Sequence, residues 1–156
     1  MLNNSQPNSD GEKLHQCLEN AKKVYGFQNE LYCPYLTTKI ALTSDGFNHL
    51  QNKPNRQPRN IREQIVKLSL LRKALKIIPK CGTLQEYRER TEKVGKKSYD
   101  GFYKMKSVKY WGFHAIIDGK KRKIKVILKQ VGDGKIIFWS VMLSDKKLYS
   151  QGIDED

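Results

Sequence analysis

Tyr110 to Leu143 is the stretch that decides the fold of this chain, and it reads YWGFHAIIDGKKRKIKVILKQVGDGKIIFWSVML. Apolar and polar residues alternate along it with the period of a β-strand. Two turn sequences, Asp118-Gly119 and Gly132-Asp133-Gly134, interrupt the alternation. The stretch therefore predicts three antiparallel strands joined by two tight turns, with one apolar face and one basic face.

The first hairpin is predicted from Asp118-Gly119, a dipeptide that favours a two-residue type I′ turn. This turn pairs Ile117 with Lys120 and Phe113 with Ile124, and paired residues share a face. The expected core residues are Trp111, Phe113, Ala115, Ile117, Ile124, Val126 and Leu128. The expected residues of the opposite face are Tyr110, Gly112, His114, Lys123, Lys125, Ile127 and Lys129.

The second turn leaves two registers open, and they place Ser140 on different sides of the sheet. A two-residue loop at Asp133-Gly134 divides the last strand into core residues (Trp139, Val141, Leu143) and basic-face residues (Phe138, Ser140, Met142). A three-residue loop reverses the two faces and buries Ser140. We favour the first register, because it buries the tryptophan and leaves the Ser140 hydroxyl in water, where it loses no hydrogen bonds.

The basic face is expected to interleave cations with aromatic rings. Six basic residues and no acidic one lie between Lys120 and Lys129. Ammonium groups neutralise phosphates and rings stack on unpaired bases, so this face suits a nucleic acid. The alternative is a plain solvated face on which lysines discourage edge-to-edge aggregation.

The composition agrees with a polyanionic partner. The 156 residues include 30 Lys and Arg against 16 Asp and Glu, a net charge of +14. Such an excess favours nucleic acid over a surface that merely keeps the chain in solution. No apolar run approaches the ~18 residues of a membrane span, and no signal-peptide pattern follows Met1. We therefore expect a cytoplasmic protein without a membrane partner.

The region before the sheet has the patterns of helices that cover its apolar face. Helix starts are predicted at Ser9 with Glu12, in Thr43–Gly46, and at Asn60 with Glu63. The third of these opens the main helix, which Pro79 and Gly82 end. Thr83 with Glu86 predicts a further short helix. The expected remaining elements are a short strand at residues 39–43 and a loop over residues 92–106.

Common catalytic and metal-binding motifs are missing from the sequence. It contains no P-loop, GxGxxG, HExxH or GxSxG, and no paired carboxylates at metal-binding spacing. The three cysteines, Cys17, Cys33 and Cys81, form no CxxC pair and indicate a reduced chain without a structural metal site. The remaining chemistry is that of histidine, lysine, arginine, tyrosine and serine.

These side chains are sufficient for RNA cleavage without a metal. A general base takes the 2′-hydroxyl proton, an acid protonates the leaving 5′-oxygen, and a cation stabilises the phosphate. His49 is the first candidate for acid or base and His114 the second. The expected phosphate contacts are Arg59 and Lys125, and Tyr110 and Ser140 are expected to orient the substrate.

The order of elements resembles the phage-type members of the Barnase–EndoU–colicin–RelE-like nuclease superfamily. The resemblance covers residues 32–144. It rests on LTSDGFNHL (Leu42–Leu50) after the first strand, a basic loop that ends at Arg59, QIVKLSLL (Gln64–Leu71) in the long helix, and FWSV (Phe138–Val141) at the end of the meander.

The resemblance implies an α+β fold with N-terminal helices packed on one face of a four-stranded antiparallel sheet. It implies a metal-independent, cofactor-free ribonuclease, commonly a toxin or effector of mobile elements. The family's histidine matches His49 and its small hydroxyl residue matches Ser140. Its basic residue in the meander matches Lys125, less closely Arg122 or Lys123. No residue clearly matches the glutamate base of barnase.

We therefore predict four segments: a mobile tail (1–8), an amphipathic helix (9–30), the nuclease domain (31–146) and a C-terminal tail (147–156). The predicted function is that of a toxin-like endoribonuclease, with RNA as its substrate and an antitoxin or immunity protein as a further partner. The predicted catalytic residues are His49, Lys125, Ser140 and Tyr110. The predicted substrate-binding residues are Arg56, Arg59, Arg122, Lys123, His114 and Phe138. The alternatives are a non-catalytic RNA-binding module and a protein–protein adaptor that uses the first helix.

Overall fold

A computed structural model describes residues 9–26, 29–117 and 122–144. The predicted tails at 1–8 and 147–156 and the Asp118-Gly119 turn lie outside these residues. The helices are α1 (Asp10–Gly26), α2 (Ser44–His49) and α3 (Ile61–Ile77), the last followed by a 3₁₀ turn, Ile78–Lys80. The strands are β1 (Glu30–Cys33), β2 (Thr38–Ala41), β3 (Glu86–Val94), β4 (Lys104–Ile117), β5 (Arg122–Val131) and β6 (Ile136–Leu143).

The described strands form one six-stranded sheet in the order β1-β2-β6-β5-β4-β3. All neighbouring strands are antiparallel except β2 and β6, which run parallel and pair through Ala41 and Ile137. The α+β class is confirmed. The prediction of a four-stranded antiparallel sheet is wrong, because β1 and β2 extend one edge of the meander and β3 extends the other.

The helix starts follow the predicted capping pattern. Ser9 Oγ accepts a hydrogen bond from the backbone N–H of Glu12 at 3.2 Å. Asn60 Oδ1 accepts one from the backbone N–H of Glu63 at 2.8 Å, and Thr43 is the N-cap of α2. These bonds satisfy N–H groups that the first turn of a helix leaves without a partner.

The helices cover the apolar face of the sheet, as predicted. Residues of α1 and α3, including Ala21, Leu71 and Leu75, pack in one cluster with sheet residues such as Phe113 and Val126. Burial of this apolar surface is the main source of stability for the domain. The opposite face of the sheet is therefore left for other contacts.

The segment at Glu86–Val94 corrects a prediction, because it is strand β3 and not a short helix. It pairs with β4 over nine residues, from Glu86 opposite Gly112 to Val94 opposite Lys104. The predicted loop at residues 92–106 is likewise shorter, since both its ends belong to strands. The ladder of backbone hydrogen bonds along β4 outweighs the local capping signal, as tertiary pairing often does.

The first hairpin keeps its predicted faces but changes its register. Ile117 lies opposite Arg122 and not opposite Lys120, and Phe113 lies opposite Val126. The register differs from the prediction by two residues. Because side chains alternate with a period of two, such a shift leaves every residue on its expected face.

The last strand contains a β-bulge that the sequence did not reveal. Ser140 lies opposite Ile127 in the predicted register, but Phe138 lies opposite Leu128, so Trp139 is the extra residue. The bulge exchanges the faces of the two aromatic residues. Phe138 is fully buried in the main core, and Trp139 packs on the other side with Val108 and Ile127.

Candidate functional site

The face of the sheet that the helices leave uncovered carries the candidate site. We call it the polar face. It contains residues of β3, β4 and β5 that alternate with the core residues, together with Trp139 of β6. Two groups of side chains stand out on it, one around Glu86 and one around His49.

Glu86 is the centre of the first group, which we call the Glu86 cluster (Glu86, His114 and Lys125). His114 Nε2 lies 2.9 Å from Glu86 Oε2, and Lys125 Nζ lies 3.1 Å from the same oxygen. His114 and Lys125 are paired across β4 and β5, and Glu86 reaches them from the edge strand. The side chains of Glu86, His114 and Lys125 are 28 %, 14 % and 4 % exposed, so the carboxylate is the accessible member.

The pKa of Glu86 lies below its ordinary value. Partial burial acts to raise this pKa, but hydrogen bonds from His114 and Lys125 and the charge of Lys125 together lower it. A carboxylate that accepts bonds from cations is held in its ionised form. Glu86 is therefore an ionised carboxylate at neutral pH, in contact with the His114 imidazole.

His49 belongs to a different kind of group, which we call the His49 anchor (His49, Arg59 and Trp139). Its ring stacks on Trp139 with 4.0 Å between centroids and an interplanar angle of 17°. Arg59 Nη2 lies 3.1 Å from His49 Nε2, and Arg59 Nε donates to the His49 carbonyl at 3.0 Å. A guanidinium has no acceptor, so this contact requires a neutral imidazole whose Nε2 accepts.

The position of His49 follows from the close packing of α2 against β6. A Cβ at Gly46 would lie 2.0 Å from the backbone oxygen of Phe138, so only glycine permits this approach of α2 to β6. Tyr25 of α1 donates to the Thr43 carbonyl at 2.5 Å and fixes the N-terminal end of α2. His49 at the C-terminal end then meets the bulged Trp139 and is 4 % exposed.

A cleft of about 560 Å³ opens beside the His49 anchor. Lys129 lines it with Nζ 3.7 Å from the centre of the Trp139 ring, a cation–π contact. Burial lowers the pKa of Lys129, although the charges of Glu92 and Asp45 oppose this. Both acidic residues also line the cleft, so its inner end is a mixed-charge site.

Tyr110 packs near this cleft and is only 6 % exposed. Burial, followed by a hydrogen bond with Glu92, raises the pKa of its phenol, although Arg90 acts in the opposite direction. The side chains of Arg90 and Lys129 each lie 5.7 Å from the centre of its ring. The Tyr110 ring therefore lies in contact with the two cations. Because its pKa is raised, its hydroxyl is a poor proton donor to a substrate.

Ser140 and Phe138 correct two predictions, because neither lies on an exposed basic face. Ser140 is fully buried, and its Oγ accepts a hydrogen bond from Lys67 Nζ at 3.1 Å. The same ammonium donates to the Val141 carbonyl at 3.2 Å. Lys67, itself 3 % exposed, ties α3 to β6, which gives Ser140 a structural environment. Phe138 is 0 % exposed within the core.

The remaining predicted residues divide between the site and its surroundings. Arg56 lines the cleft, and the buried Arg59 belongs to the His49 anchor. Arg122 and Lys123 are exposed at the start of β5, beyond the Glu86 cluster. The structure thus brings His114 and Lys125 together and places His49 in another group.

Glu86 is the functional candidate that the sequence reading missed. Its pairing with Thr83 as a capping box placed it on a helix. A signal was present in EYRERTEKV (residues 86–94), because charged residues at every second position, 86, 88, 90 and 92, are typical of an exposed edge strand.

Comparisons of the chain with family models, curated proteins and solved structures find no match. No helix in the described ranges is long and apolar enough to cross a membrane. Among the same residues, no group of three or more His, Cys, Asp or Glu side chains is placed to hold a metal ion.

Proposed function

We propose that this chain is a metal-independent endoribonuclease whose centre is the Glu86 cluster. The observation that carries the proposal is the convergence of an imidazole and an ammonium on one carboxylate oxygen, on a sheet face that the helices leave uncovered. The net charge of +14 supports a polyanionic substrate. The resemblance to the Barnase–EndoU–colicin–RelE-like superfamily points to the same chemistry.

The proposed reaction assigns one task to each residue. Glu86 accepts the proton of the ribose 2′-hydroxyl, and the 2′-oxygen attacks the adjacent phosphorus. His114 and Lys125 both contact Oε2 of Glu86, and the proposal assigns the proton to Oε1. His114 as an imidazolium donates its proton to the leaving 5′-oxygen, and Lys125 stabilises the charge that develops on the phosphate.

The products of this reaction are a 2′,3′-cyclic phosphate and a new 5′-hydroxyl end. The phosphorus–5′-oxygen bond breaks while the phosphorus–2′-oxygen bond forms, and the two protons move through Glu86 and His114. This assignment replaces His49, whose Nε2 accepts from Arg59 and so already uses the lone pair that a general base needs.

The second candidate is an RNA-binding module that does not cleave. Lys125 favours it, because its side chain is only 4 % exposed and a buried ammonium with a carboxylate partner is also a common structural pair. In that case the polar face binds RNA through its cations alone. A toxin-like role, a cytoplasmic location and an antitoxin that covers this face remain predictions.

Incubation of the protein with end-labelled RNA in EDTA tests the proposal. We expect shortened RNA that carries 2′,3′-cyclic phosphate ends, identified by their resistance to phosphatase until acid opens the ring. Intact RNA with a mobility shift that weakens as salt rises would favour the binding module. Intact RNA without a shift would contradict both candidates.

A further inference from the structure

A second hollow of about 330 Å³ continues the cleft outward. The two share Pro54, Arg56 and Gly95 in their linings. Together they form one channel between the loop at residues 53–59 and the β3–β4 hairpin. We call this channel the basic groove.

The outer part of the basic groove is strongly cationic. Its described lining contains no acidic residue, since Asp45 and Glu92 line only the inner cleft. Five exposed cations surround the groove: Lys53, Arg56, Lys93, Lys96 and Lys97. Cations clustered along a channel attract and align a polyanion through counterion release.

Aromatic rings accompany these cations. Tyr103 lines the outer hollow and is 40 % exposed, and Lys93 Nζ lies 5.0 Å from the centre of its ring. Phe102 is 72 % exposed and Tyr99 entirely exposed in the adjoining turn. Solvent-facing rings beside a row of cations are the platform on which unpaired bases stack.

The loop that forms the other wall is held in a defined shape. Arg56 has a φ of 69°, the left-handed region that a non-glycine residue adopts only when its surroundings hold it there. Its backbone N–H donates to the Lys53 carbonyl at 2.8 Å, and Lys53 N–H donates to the Gln57 carbonyl at 2.8 Å. Arg59 then ties the end of the loop to His49. The Arg56 side chain is thus presented to the groove by an ordered loop.

The groove also lies in line with the Glu86 cluster. Lys125 belongs to the cluster and Lys129 lines the cleft, and both are on the polar face of β5. They are four residues apart, which is about 13 Å along a strand. One extended strand of nucleic acid can therefore contact both sites.

We propose that the basic groove binds single-stranded RNA and holds the nucleotides that flank the bond cleaved at the Glu86 cluster. That the bound RNA is the substrate rests on the proposed function. That the groove binds RNA rests on its cations and aromatic rings alone. In this account Arg56, Lys96 and Lys97 contact phosphates, and Tyr103 stacks on a base.

The test measures binding of a labelled RNA strand of about 12 nucleotides, in the site-size range of single-strand binders. All its sugars are 2′-O-methyl, so the strand cannot be cleaved. Fluorescence anisotropy gives the affinity for the wild type, for K96Q/K97Q, and for K76Q/K80Q. The last pair removes the same charge from exposed lysines at the end of α3 and in the 3₁₀ turn that follows it.

We expect K96Q/K97Q to weaken binding roughly 20-fold at 0.1 M salt and to reduce the salt slope by about 1.4, since a single-strand phosphate contact contributes about 0.7. K76Q/K80Q should change the affinity less than about threefold, because those lysines lie outside the groove. Y103L should weaken binding of the single strand roughly fivefold or more, as expected for one lost stacked base. Y103L should leave binding of a duplex of equal length unchanged.

An equal loss of RNA affinity in K96Q/K97Q and K76Q/K80Q would overturn the proposal, because it would show diffuse attraction of RNA to the whole surface. Displacement of the strand by polyglutamate as effectively as by unlabelled RNA would also overturn it, in favour of an acidic protein partner. Because the probe cannot be cleaved, the result does not depend on ribonuclease activity. Groove-dependent binding by a chain that leaves ordinary RNA intact would support the groove and contradict the proposed reaction.

Discussion

The Glu86 cluster and the His49 anchor each contain a histidine beside a charged side chain, but the partners have opposite charge. His114 Nε2 lies 2.9 Å from a carboxylate oxygen in a partly exposed site. His49 Nε2 lies 3.1 Å from a guanidinium nitrogen in a buried site. A carboxylate stabilises an imidazolium, whereas a guanidinium requires the neutral ring. The partner of a histidine therefore indicates its chemistry better than its position in the chain does.

The largest expected effect separates the two histidines directly. H114Q should lower kcat/KM for RNA cleavage by about 10²–10⁴-fold, the usual contribution of a general acid or base. H49Q should lower the free energy of unfolding by about 2 kcal/mol, because it removes the ring on Trp139 and an acceptor of Arg59. Single-turnover cleavage and urea unfolding of both variants provide the measurements.

The histidine comparison fails if the two variants exchange their effects. A folded H49Q protein with cleavage reduced 10²-fold or more, together with an H114Q protein of wild-type activity, would return the catalytic role to His49. Rates are compared per folded molecule, from the circular dichroism of each sample, so that lower stability is not counted as lower activity.

The next effect concerns Ser140, which the sequence placed in the catalytic set. S140A should lower the free energy of unfolding by about 1–2 kcal/mol, since Lys67 loses a buried acceptor. Cleavage per folded molecule should stay within twofold of the wild type. S107A is the matched control, because Ser107 is exposed and its Oγ donates to Glu89 on the surface. A folded S140A protein without activity would show that Ser140 takes part in the reaction.

The smallest effect is the pH dependence of stability that Glu86 contributes. Its pKa is lower in the folded protein than its ordinary value of about 4.5. The ionised form is thus favoured by folding, so this stabilisation is complete above that ordinary value and is lost as pH falls through the folded pKa. The difference in unfolding free energy between wild type and E86Q should be larger at pH 7 than at pH 3. An equal difference at both values would exclude this linkage.

Much of the fold was predictable because local signals and burial agreed there. The capping residues at Ser9, Thr43 and Asn60 begin helices, and the alternation after Tyr110 produced strands with the expected faces in β4 and β5. Strand β3 was missed, because the capping signal at Thr83 and Glu86 favoured a helix over the edge strand that its alternating charges also indicate. The ladder along β4 determines its conformation, and that ladder is a long-range contact.

The site was less predictable, as Glu86 and the neighbouring residues Phe138 and Trp139 show. Glu86 lies in the site only because β3 pairs with β4, which is a long-range contact. Trp139 and Phe138 exchanged faces through a one-residue bulge, which a strict period of two cannot express. His114 and Lys125 were placed on the correct face, since a register shift of two preserves the alternation.

The central claim is that the Glu86 carboxylate takes the substrate proton. E86Q alone leaves Lys125 buried beside a neutral group, which costs about 3–5 kcal/mol for an uncompensated buried charge. The double variant E86Q/K125M removes both charges and should recover much of that stability. E89Q is the matched control, because Glu89 is an exposed glutamate of the same strand that points away from the cluster.

The most direct test is the single-turnover cleavage rate of folded E86Q/K125M against E89Q and the wild type, with 2′,3′-cyclic phosphate ends as the product measured. We predict a loss of at least about 10²-fold for E86Q/K125M and a rate within twofold of the wild type for E89Q. A folded E86Q/K125M protein that cleaves RNA at the wild-type rate would contradict the account.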